Sequence, residues 1–271
     1  MALISEFKQG PSTLSLLEDG HVEQDLRPYL GMSSIGHSCD RFLWYSFRWF
    51  FRDTVSFRML RLFGRGHREE PVIIEQLEKI GIKVHSDQLE CEAAFGHCKG
   101  HNDGMCDNVP EAPKTTHLLE IKTMSDKYFK EMQKKGVKLC KPIYYAQMQA
   151  YMRKFKLKRA LFIAVNKNDD SLYVERVRLD IEFADALFVK AEGIVLSETP
   201  PIKIFQSTWY ECKFCSANKQ CHFGADPLVT CRSCKNSEPA LEGKWTCNKF
   251  DTNIPVEVQR TGCEHYKVMS L

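Results

Sequence analysis

The sequence predicts a mixed α/β fold of the α+β kind with a small cysteine-rich appendage. Helical and strand-like patterns alternate over residues 1–225, and the composition then changes to a compact tail at 226–271 with four cysteines. The tail is too short to hold an apolar core of its own without a staple. We therefore expect two domains with a boundary near residue 225.

Each element is predicted from its local pattern. Ser33 and Ser34 are candidate N-caps for a first helix, and Gly81 ends a second, amphipathic one. Alternation around Leu119 and Ile121 predicts a strand. In order, the sequence predicts helices over 39–48 and 66–80, strands over 88–106 and 117–123 as a hairpin, helices over 125–135 and 143–155, strands over 160–166 and 172–179, and a helix over 181–196.

Charge is distributed unevenly along the chain. The net charge of +3 does not indicate a nucleic-acid partner by itself. Basic residues, however, collect in runs at 48–68, 127–141 and 153–159, whereas acidic residues collect at 169–192. Such a distribution favours a polyanion on one side of the molecule, although each run taken alone fits a solvated helix face equally well.

Twelve cysteines occur in a chain whose first ten residues contain no secretory signal. The most apolar run, Phe42 to Phe51, is short and includes Arg48, so no membrane span is expected. We expect a reducing cytoplasm, where closely spaced cysteines bind metals rather than form disulfides. A phage-encoded protein in a host cytoplasm fits the same reasoning.

The triplet Glu120-Ile121-Lys122 indicates a metal-dependent hydrolytic site. Strand alternation places Glu120 and Lys122 on one face, and Asp103 ends an earlier strand-like segment. Asp103 and Glu120 offer hard oxygen ligands for Mg²⁺ or Mn²⁺. Lys122 can orient a water or stabilise charge on a phosphorane, and a role as general base requires a lowered pKa. Each of these residues alone also fits a surface charge or a salt-bridge partner.

The ordered motifs Gly100-x2-Asp103-Gly104, Glu120-x-Lys122 and Gln147-x3-Tyr151 resemble the PD-(D/E)XK nuclease superfamily in its RecB/AddB-like branch. The resemblance covers roughly residues 30 to 224. It implies a restriction-endonuclease-like central mixed sheet flanked by helices. By itself, Gln147 fits a helix-surface amide and Tyr151 a core aromatic.

The same resemblance implies roles for particular residues. Gly66-His67, which enters a helix that also carries Glu70, matches the branch's upstream motif, whose histidine can ligate metal. His97 and His101 lie close in sequence to the first acidic motif and compete with His67 as candidate ligands. The catalytic set is Asp103, Glu120, Lys122, Gln147 and Tyr151. The divalent-ion ligands are His67, Asp103, Glu120 and, through its backbone carbonyl, Ile121.

Four cysteines bracket this constellation. Cys39 precedes it, and a C-x2-C-x5-C run formed by Cys212, Cys215 and Cys221 follows it. The arrangement resembles the iron–sulfur nuclease domains of AddB, of the CRISPR-associated adaptation exonucleases and of the eukaryotic replication helicase-nuclease. It implies a 4Fe–4S cluster that holds the nuclease fold closed. Thiolates suit Zn²⁺ as well, so the spacing leaves the metal open.

The tail cysteines Cys231-x2-Cys234-x12-Cys247-x15-Cys263 are typical of a zinc ribbon, and His265 is an alternative to Cys263. We predict a structural zinc site there, outside the resemblance. Core packing is expected for the remaining cysteines, which are Cys91, Cys98, Cys106 and Cys140.

Together these patterns predict a metal-dependent DNA nuclease, an exonuclease acting on single-stranded DNA or DNA ends in recombination, repair or replication. The sequence has no P-loop, so unwinding is assigned to a helicase partner; a recombinase or annealing protein is a further candidate partner. One alternative is a noncatalytic nucleic-acid-binding module. Another is an interaction protein that recruits its partner through the tail.

Overall fold

A computed structural model describes residues 10–20, 25–53 and 55–269. The N-terminal stretch at 1–9, on which the absence of a secretory signal was judged, lies outside the described residues. Helices in these ranges are α1 (Thr13–Asp19), α2 (Asp40–Phe47), α3 (Phe57–Lys79), α4 (Asp126–Cys140), α5 (Pro142–Lys154), α6 (Ile181–Leu196), α7 (Tyr210–Lys213), α8 (Asn218–Phe223) and α9 (Val256–Gln259). The strands are β1 (Leu30–Gly31), β2 (Lys83–His85), β3 (Glu90–Ala93), β4 (Cys98–His101), β5 (Gly104–Asp107), β6 (His117–Met124), β7 (Arg159–Asn166), β8 (Leu172–Arg178), β9 (Ser237–Pro239), β10 (Trp245–Cys247) and β11 (Thr252–Asn253).

The centre of the fold is a mixed five-stranded sheet in the order β2-β5-β6-β7-β8. Strands β6 and β7 are parallel, and the crossover that a parallel pair requires is made by α4 and α5. The other pairs are antiparallel. Pairing of β6 with β5 stops at Leu119, opposite Gly104, whereas pairing with β7 continues to Met124. The second half of β6 is therefore open on its β5 side.

Both faces of this sheet are covered, as expected for a central sheet flanked by helices. On one face, Leu119 and Ile121 pack with Ile73 and Leu77 of α3. On the other, Leu118 packs with residues of α5 and α6 in the larger core. The alternation along β6 places Glu120 and Lys122 on the α5 side.

Several predicted boundaries differ from those observed, and α4 extends to Cys140 rather than ending at 135. Helix α3 begins at Phe57 rather than near 66, because the Ser56 hydroxyl accepts a hydrogen bond from Met59 N–H and caps it. Ser33 lies in a 3₁₀ turn, and Cys39 occupies the N-cap of α2 instead. The strand predicted over 88–106 is divided into β3, β4 and β5, of which only β5 joins the central sheet; β3 and β4 form a separate small sheet with β1.

The tail forms an antiparallel sheet in the order β11-β10-β9, and its apolar side is covered by the rest of the chain. Trp245 belongs to the larger core. The buried Arg232 guanidinium lies 4.0 Å from the Trp49 ring centroid and 4.6 Å from that of Trp245. It also donates to the Pro28 carbonyl at 2.7 Å. The tail thus shares a core with the preceding residues, and the domain boundary near 225 stays a prediction from sequence.

The described residues contain no helix long and apolar enough to cross a membrane.

Candidate active site

Asp103, Glu120 and Lys122 lie together where β6 extends beyond β5. Lys122 Nζ is 2.5 Å from Glu120 Oε1 and 3.6 Å from Asp103 Oδ2. The Ile121 N–H has no β5 partner and donates to Asp103 Oδ2 at 2.8 Å. The Ile121 carbonyl accepts from Lys122 Nζ at 3.3 Å, so it lies beside the same group of charges. Because β5 begins only at Gly104, the Ile121 N–H and carbonyl on β6 are left free to bind Asp103 and Lys122.

Glu120 is the most unusual side chain of this group because its carboxylate is fully buried. Lys122 lies at ion-pair distance, yet neither carboxylate oxygen has a hydrogen bond of acceptable geometry within the described part of the chain. The contact with Lys122 is therefore an ion pair, and both carboxylate oxygens can still accept hydrogen bonds. The pKa of Glu120 is raised to about 8, chiefly by burial and also by the nearby Asp103 and Glu70 carboxylates, although Lys122 acts in the opposite direction.

Lys122 is held in its charged form. Burial alone lowers the pKa of Lys122, but the Glu120 and Asp103 carboxylates raise it more, and the net direction is upward. A general base would need the opposite shift. In this geometry Lys122 is a fixed ammonium, and its Nζ lies 5.8 Å from the Tyr144 ring centroid.

Glu70 was missing from the predicted site. It lies on α3, half-buried, and its pKa is raised first by burial and then by the Asp103 carboxylate. His67, one turn earlier, places Nδ1 3.8 Å from Glu70 Oε1. The sequence signal was the i, i+3 spacing from His67. Several glutamates share this helix, however, and only the packing of α3 against β6 decides which one faces the site.

A cavity of about 410 Å³ opens beside these residues. Its lining includes His67, Glu70, Asp103, Gln147 and Tyr151. The His67 side chain is 78% exposed, so it stands at the rim of the cavity rather than inside the group of charges. The buried Gln147 belongs to the wall on α5. The structure therefore places His67, Asp103, Gln147 and Tyr151 in the wall of one cavity, whereas Glu120 and Lys122 lie behind that wall and reach it through the contact of Lys122 with Asp103.

Histidines near Asp103 have other partners. His101 lines the cavity, but its Nε2 lies 3.7 Å from Glu90 Oε2. His97 is buried, packs against Phe47 and Trp245, and places Nε2 2.7 Å from the Ala240 carbonyl oxygen. The expectation that His97 competes with His67 as a ligand is wrong, because the ring is enclosed between the body and the tail.

Tyr151 supports the backbone that leads to Asp103. Its hydroxyl donates to the His101 carbonyl at 2.8 Å. This approach needs a glycine at position 100, where a Cβ would meet the Tyr151 hydroxyl and lie 2.7 Å from Met32 Cβ. Because its hydroxyl hydrogen is used in this way, Tyr151 acts on the site through strand position.

The distant cysteines converge in space. Cys39, Cys212, Cys215 and Cys221 line one cavity of about 30 Å³. The pKa of the Cys215 thiol is raised, first by burial and then by the other three sulfur atoms. Cys39 and the three later cysteines, which are far apart in sequence, thus lie around the same cavity.

The tail cysteines also surround a single cavity, of about 20 Å³, with His265 in its wall. Burial raises the pKa of the Cys231 thiol to about 11, and Cys263, Cys234 and Cys247 add to the shift. Over residues 10–20, 25–53 and 55–269, no three His, Cys, Asp or Glu side chains already stand in ligating geometry. Each cysteine set thus lines one cavity, without three of its side chains in ligating geometry.

The four remaining cysteines divide by burial. Cys91, Cys98 and Cys106 are buried core residues, as predicted. Cys140 is only partly buried, with its Sγ 3.6 Å from the Tyr128 carbonyl oxygen. All twelve cysteines are free thiols.

No protein-family model and no curated protein matches the sequence. Among solved structures, the alkaline exonuclease LHK-Exo from Laribacter hongkongensis is similar with a TM-score of 0.46 and 17% identity, over 62% of this chain and 86% of that one. LHK-Exo in complex with dAMP gives a TM-score of 0.44 at 16% identity over the same shares of 62% and 86%. A phage-related exonuclease from Haemophilus somnus 129PT gives 0.42 and 15%, over 64% and 92%. Likeness at this distance assigns no activity, so the functional argument rests on the site itself.

Proposed function

We propose that this protein is a metal-dependent DNA nuclease, acting as an exonuclease in recombination, repair or replication. The observation that carries the proposal is Glu120, a buried carboxylate whose oxygens have no hydrogen bond within the described residues and which shares the Lys122 ammonium with Asp103, a residue in the wall of an open cavity. Burying such a group costs free energy unless a charge compensates it. A divalent cation held by oxygen ligands is the compensation that suits hydrolysis of a phosphodiester.

Glu120, Asp103 and Glu70 are the residues that would hold Mg²⁺ or Mn²⁺, with His67 at the rim and the Ile121 carbonyl nearby. When bound, the ion supplies charge neutralisation and a lowered pKa for water. Lys122, kept as an ammonium, stabilises negative charge that develops on the phosphate during attack. The Gln147 amide in the cavity wall offers hydrogen bonds to a phosphate oxygen.

The direct test measures cleavage of end-labelled single-stranded DNA while Mn²⁺ or Mg²⁺ is titrated in and then removed with chelator. We expect activity only with the ion, and a loss of at least about 100-fold in Asp103→Asn and Lys122→Ala protein. Lys79→Ala, which removes an exposed lysine paired with Glu75, is the matched control and should cleave normally. Full activity in both site variants would refute the assignment.

The form of the DNA substrate distinguishes an exonuclease from an endonuclease, and cleavage distinguishes both from a binding module. An exonuclease degrades linear DNA and leaves closed circular DNA intact, whereas an endonuclease cuts both. Binding of DNA that weakens with salt but never leads to cleavage would favour the noncatalytic nucleic-acid-binding module instead.

We also propose two thiolate metal sites, a 4Fe–4S cluster at Cys39, Cys212, Cys215 and Cys221, and a Zn²⁺ ion at the tail cysteines. The convergence of each set on one cavity supports this. Anaerobic purification followed by iron, sulfide and zinc analysis tests it. Cys212→Ala should lose iron and keep zinc, and Cys247→Ala should do the reverse. Anaerobic wild-type protein without iron would contradict the first site.

Partners and location follow from the same proposal. A helicase would supply the single strand, and a recombinase or annealing protein would use the product. The free thiols suit a reducing compartment such as the cytoplasm. Co-purification of such a partner with the intact protein, and its loss in a tail-surface variant that still cleaves DNA, would support recruitment through the tail.

A further inference from the structure

A second cavity adjoins the active-site cavity. It has a volume of about 290 Å³, and the two cavities share Arg27 and Tyr29 in their walls. The segment after these residues also borders both, with Ser33 in the first cavity and Ser34 in the second. The two spaces are therefore neighbours across one short stretch of chain.

Arg27 is fixed in place but its charge is available. Its carbonyl accepts a hydrogen bond from the Trp49 indole N–H at 2.7 Å, which holds the backbone. Its exposed guanidinium lies 5.6 Å from the Tyr29 ring centroid. Among the residues the structure describes, no carboxylate lies within salt-bridge distance of it. A cation in such a position suits an anionic group that bridges the two cavities.

Aromatic rings form much of the second cavity. Tyr29 and Phe42 are partly exposed, whereas Trp49 and Phe51 are buried beneath them. Flat aromatic surfaces beside a basic group are the combination that binds unpaired bases along a nucleic-acid backbone.

Neither acidic residue of this cavity also lines the first cavity. Asp25 is paired with Arg260 at 3.2 Å, and Asp53 lines only the second cavity, as does Arg52. The basic character at the shared wall is therefore that of Arg27. A volume of about 290 Å³ is large enough for a single base.

We propose that the second cavity binds a nucleotide one step beyond the scissile phosphate and its attached nucleoside in a single DNA strand. Arg27 contacts the phosphate that joins this nucleotide to that nucleoside, and Tyr29 and Phe42 pack against its base. This inference rests on the proposed nuclease function and adds to it the strand form and the direction in which the strand leaves the site.

The test compares binding with hydrolysis of a substrate too small to reach the second cavity. Fluorescence anisotropy with a labelled oligonucleotide in chelator measures binding, and p-nitrophenyl thymidine 5′-phosphate with Mn²⁺ measures hydrolysis at the first cavity. We expect Arg27→Ala to bind the oligonucleotide about tenfold more weakly and to lower the slope of log affinity against log salt by about 0.7. Ser46→Trp fills the second cavity only and should also weaken oligonucleotide binding while hydrolysing the small ester at the wild-type rate.

Arg178→Ala is the matched control, since Arg178 is exposed on the edge strand β8. It should match wild type, and Arg27→Lys should recover part of the binding. Wild-type oligonucleotide affinity in both Arg27→Ala and Ser46→Trp would overturn the inference and leave the nuclease proposal standing. Wild-type protein that cleaves neither substrate would instead refute the nuclease proposal, while its binding data still decide the inference.

Discussion

At the scale of single residues, the candidate site depends on charges that the fold holds close together. Glu120 and Lys122 form a buried pair, and Asp103 and Glu70 add two further carboxylates around it. Like charges at such distances repel, and part of that repulsion is relieved when a cation binds. This repulsion is the physical reason for proposing that a divalent ion binds here.

Replacing Glu70 should test this directly. Glu70→Gln removes one carboxylate oxygen donor and is expected to weaken Mn²⁺ binding about tenfold or more, with a matching rise in the Mn²⁺ needed for cleavage. Isothermal titration calorimetry with Mn²⁺ measures the effect without activity. Glu75→Gln on the same helix, where the side chain pairs with Lys79 in solvent, is the control. Equal Mn²⁺ affinity in the two variants would exclude Glu70 from the site.

His97 should make stability depend on pH. Burial lowers the pKa of His97 to about 4 in the folded protein, so between about pH 6.5 and pH 4 the unfolded chain binds a proton that the folded chain does not. The contribution of His97 to the free energy of unfolding is therefore complete above about pH 6.5. It falls by up to about 3 kcal/mol as the pH drops to about 4. Urea unfolding at pH 7 and pH 5 measures it, and His97→Gln should show a smaller difference. If the difference in unfolding free energy between pH 7 and pH 5 is the same in His97→Gln and wild type, other groups cause the pH dependence.

At the scale of elements, the site depends on two features: pairing between β5 and β6 stops at Gly104, and β4 packs closely against α5. Strand β4 approaches α5 closely enough for Tyr151 to bind the His101 carbonyl, two residues before Asp103. A shift of β4 would move Asp103 away from Ile121 and Lys122. The precision of the carboxylate positions is thus a property of helix-to-strand packing.

Gly100→Ala should disturb that packing. The added Cβ would lie 2.7 Å from Met32 Cβ and meet the Tyr151 hydroxyl, so we expect a loss of about 1–3 kcal/mol in unfolding free energy together with reduced cleavage. Gly193→Ala in α6 is the control. No atom lies within 4 Å of its added Cβ, and alanine should raise stability by about 0.5–1 kcal/mol. Chemical denaturation of the two variants decides it; equal effects would show that the Gly100 contact is not needed.

At the scale of the whole molecule, the tail and the preceding fold are joined through buried side chains. Arg48 donates to the Ser237 carbonyl at 2.9 Å, and Arg232 lies between Trp49 and Trp245. The backbones of Gly96 and Gly243 approach so closely that a Cβ on Gly96 would lie 2.7 Å from Gly243 N. These contacts bury charged groups that need their partners.

Removal of residues 226–271 should therefore unfold more than the tail. We expect the shortened chain to lose cooperative unfolding, because Trp49 and Arg48 lose the groups that cover them. Tryptophan fluorescence and circular dichroism during urea unfolding measure this. A shortened chain with the wild-type midpoint would show two independent domains. Point variants on the tail surface are consequently the better tool for testing partner recruitment.

Much of the architecture was readable from the sequence. The helix at Ile181–Leu196 and the strands around Ile163 and Val174 were predicted closely, because their apolar periodicity and caps are local signals. The division of the segment from 88 to 106 was not predicted. There the Asn102 side chain accepts from Leu89 N–H and donates to the Ser86 carbonyl, a turn built by contacts between separate residues.

The candidate site was also predicted from the sequence only in part. Its motif residues and both cysteine sets were predicted from residue type and spacing, since these reflect the chemistry of ligands and charges, and their roles stay predictions. The position of Glu70 beside Asp103, the second cavity at Arg27 and the shared core of the tail were decided by tertiary structure. The physical reason is that burial, repulsion between carboxylates and the width of a cavity are set by elements distant in sequence, which no local pattern records.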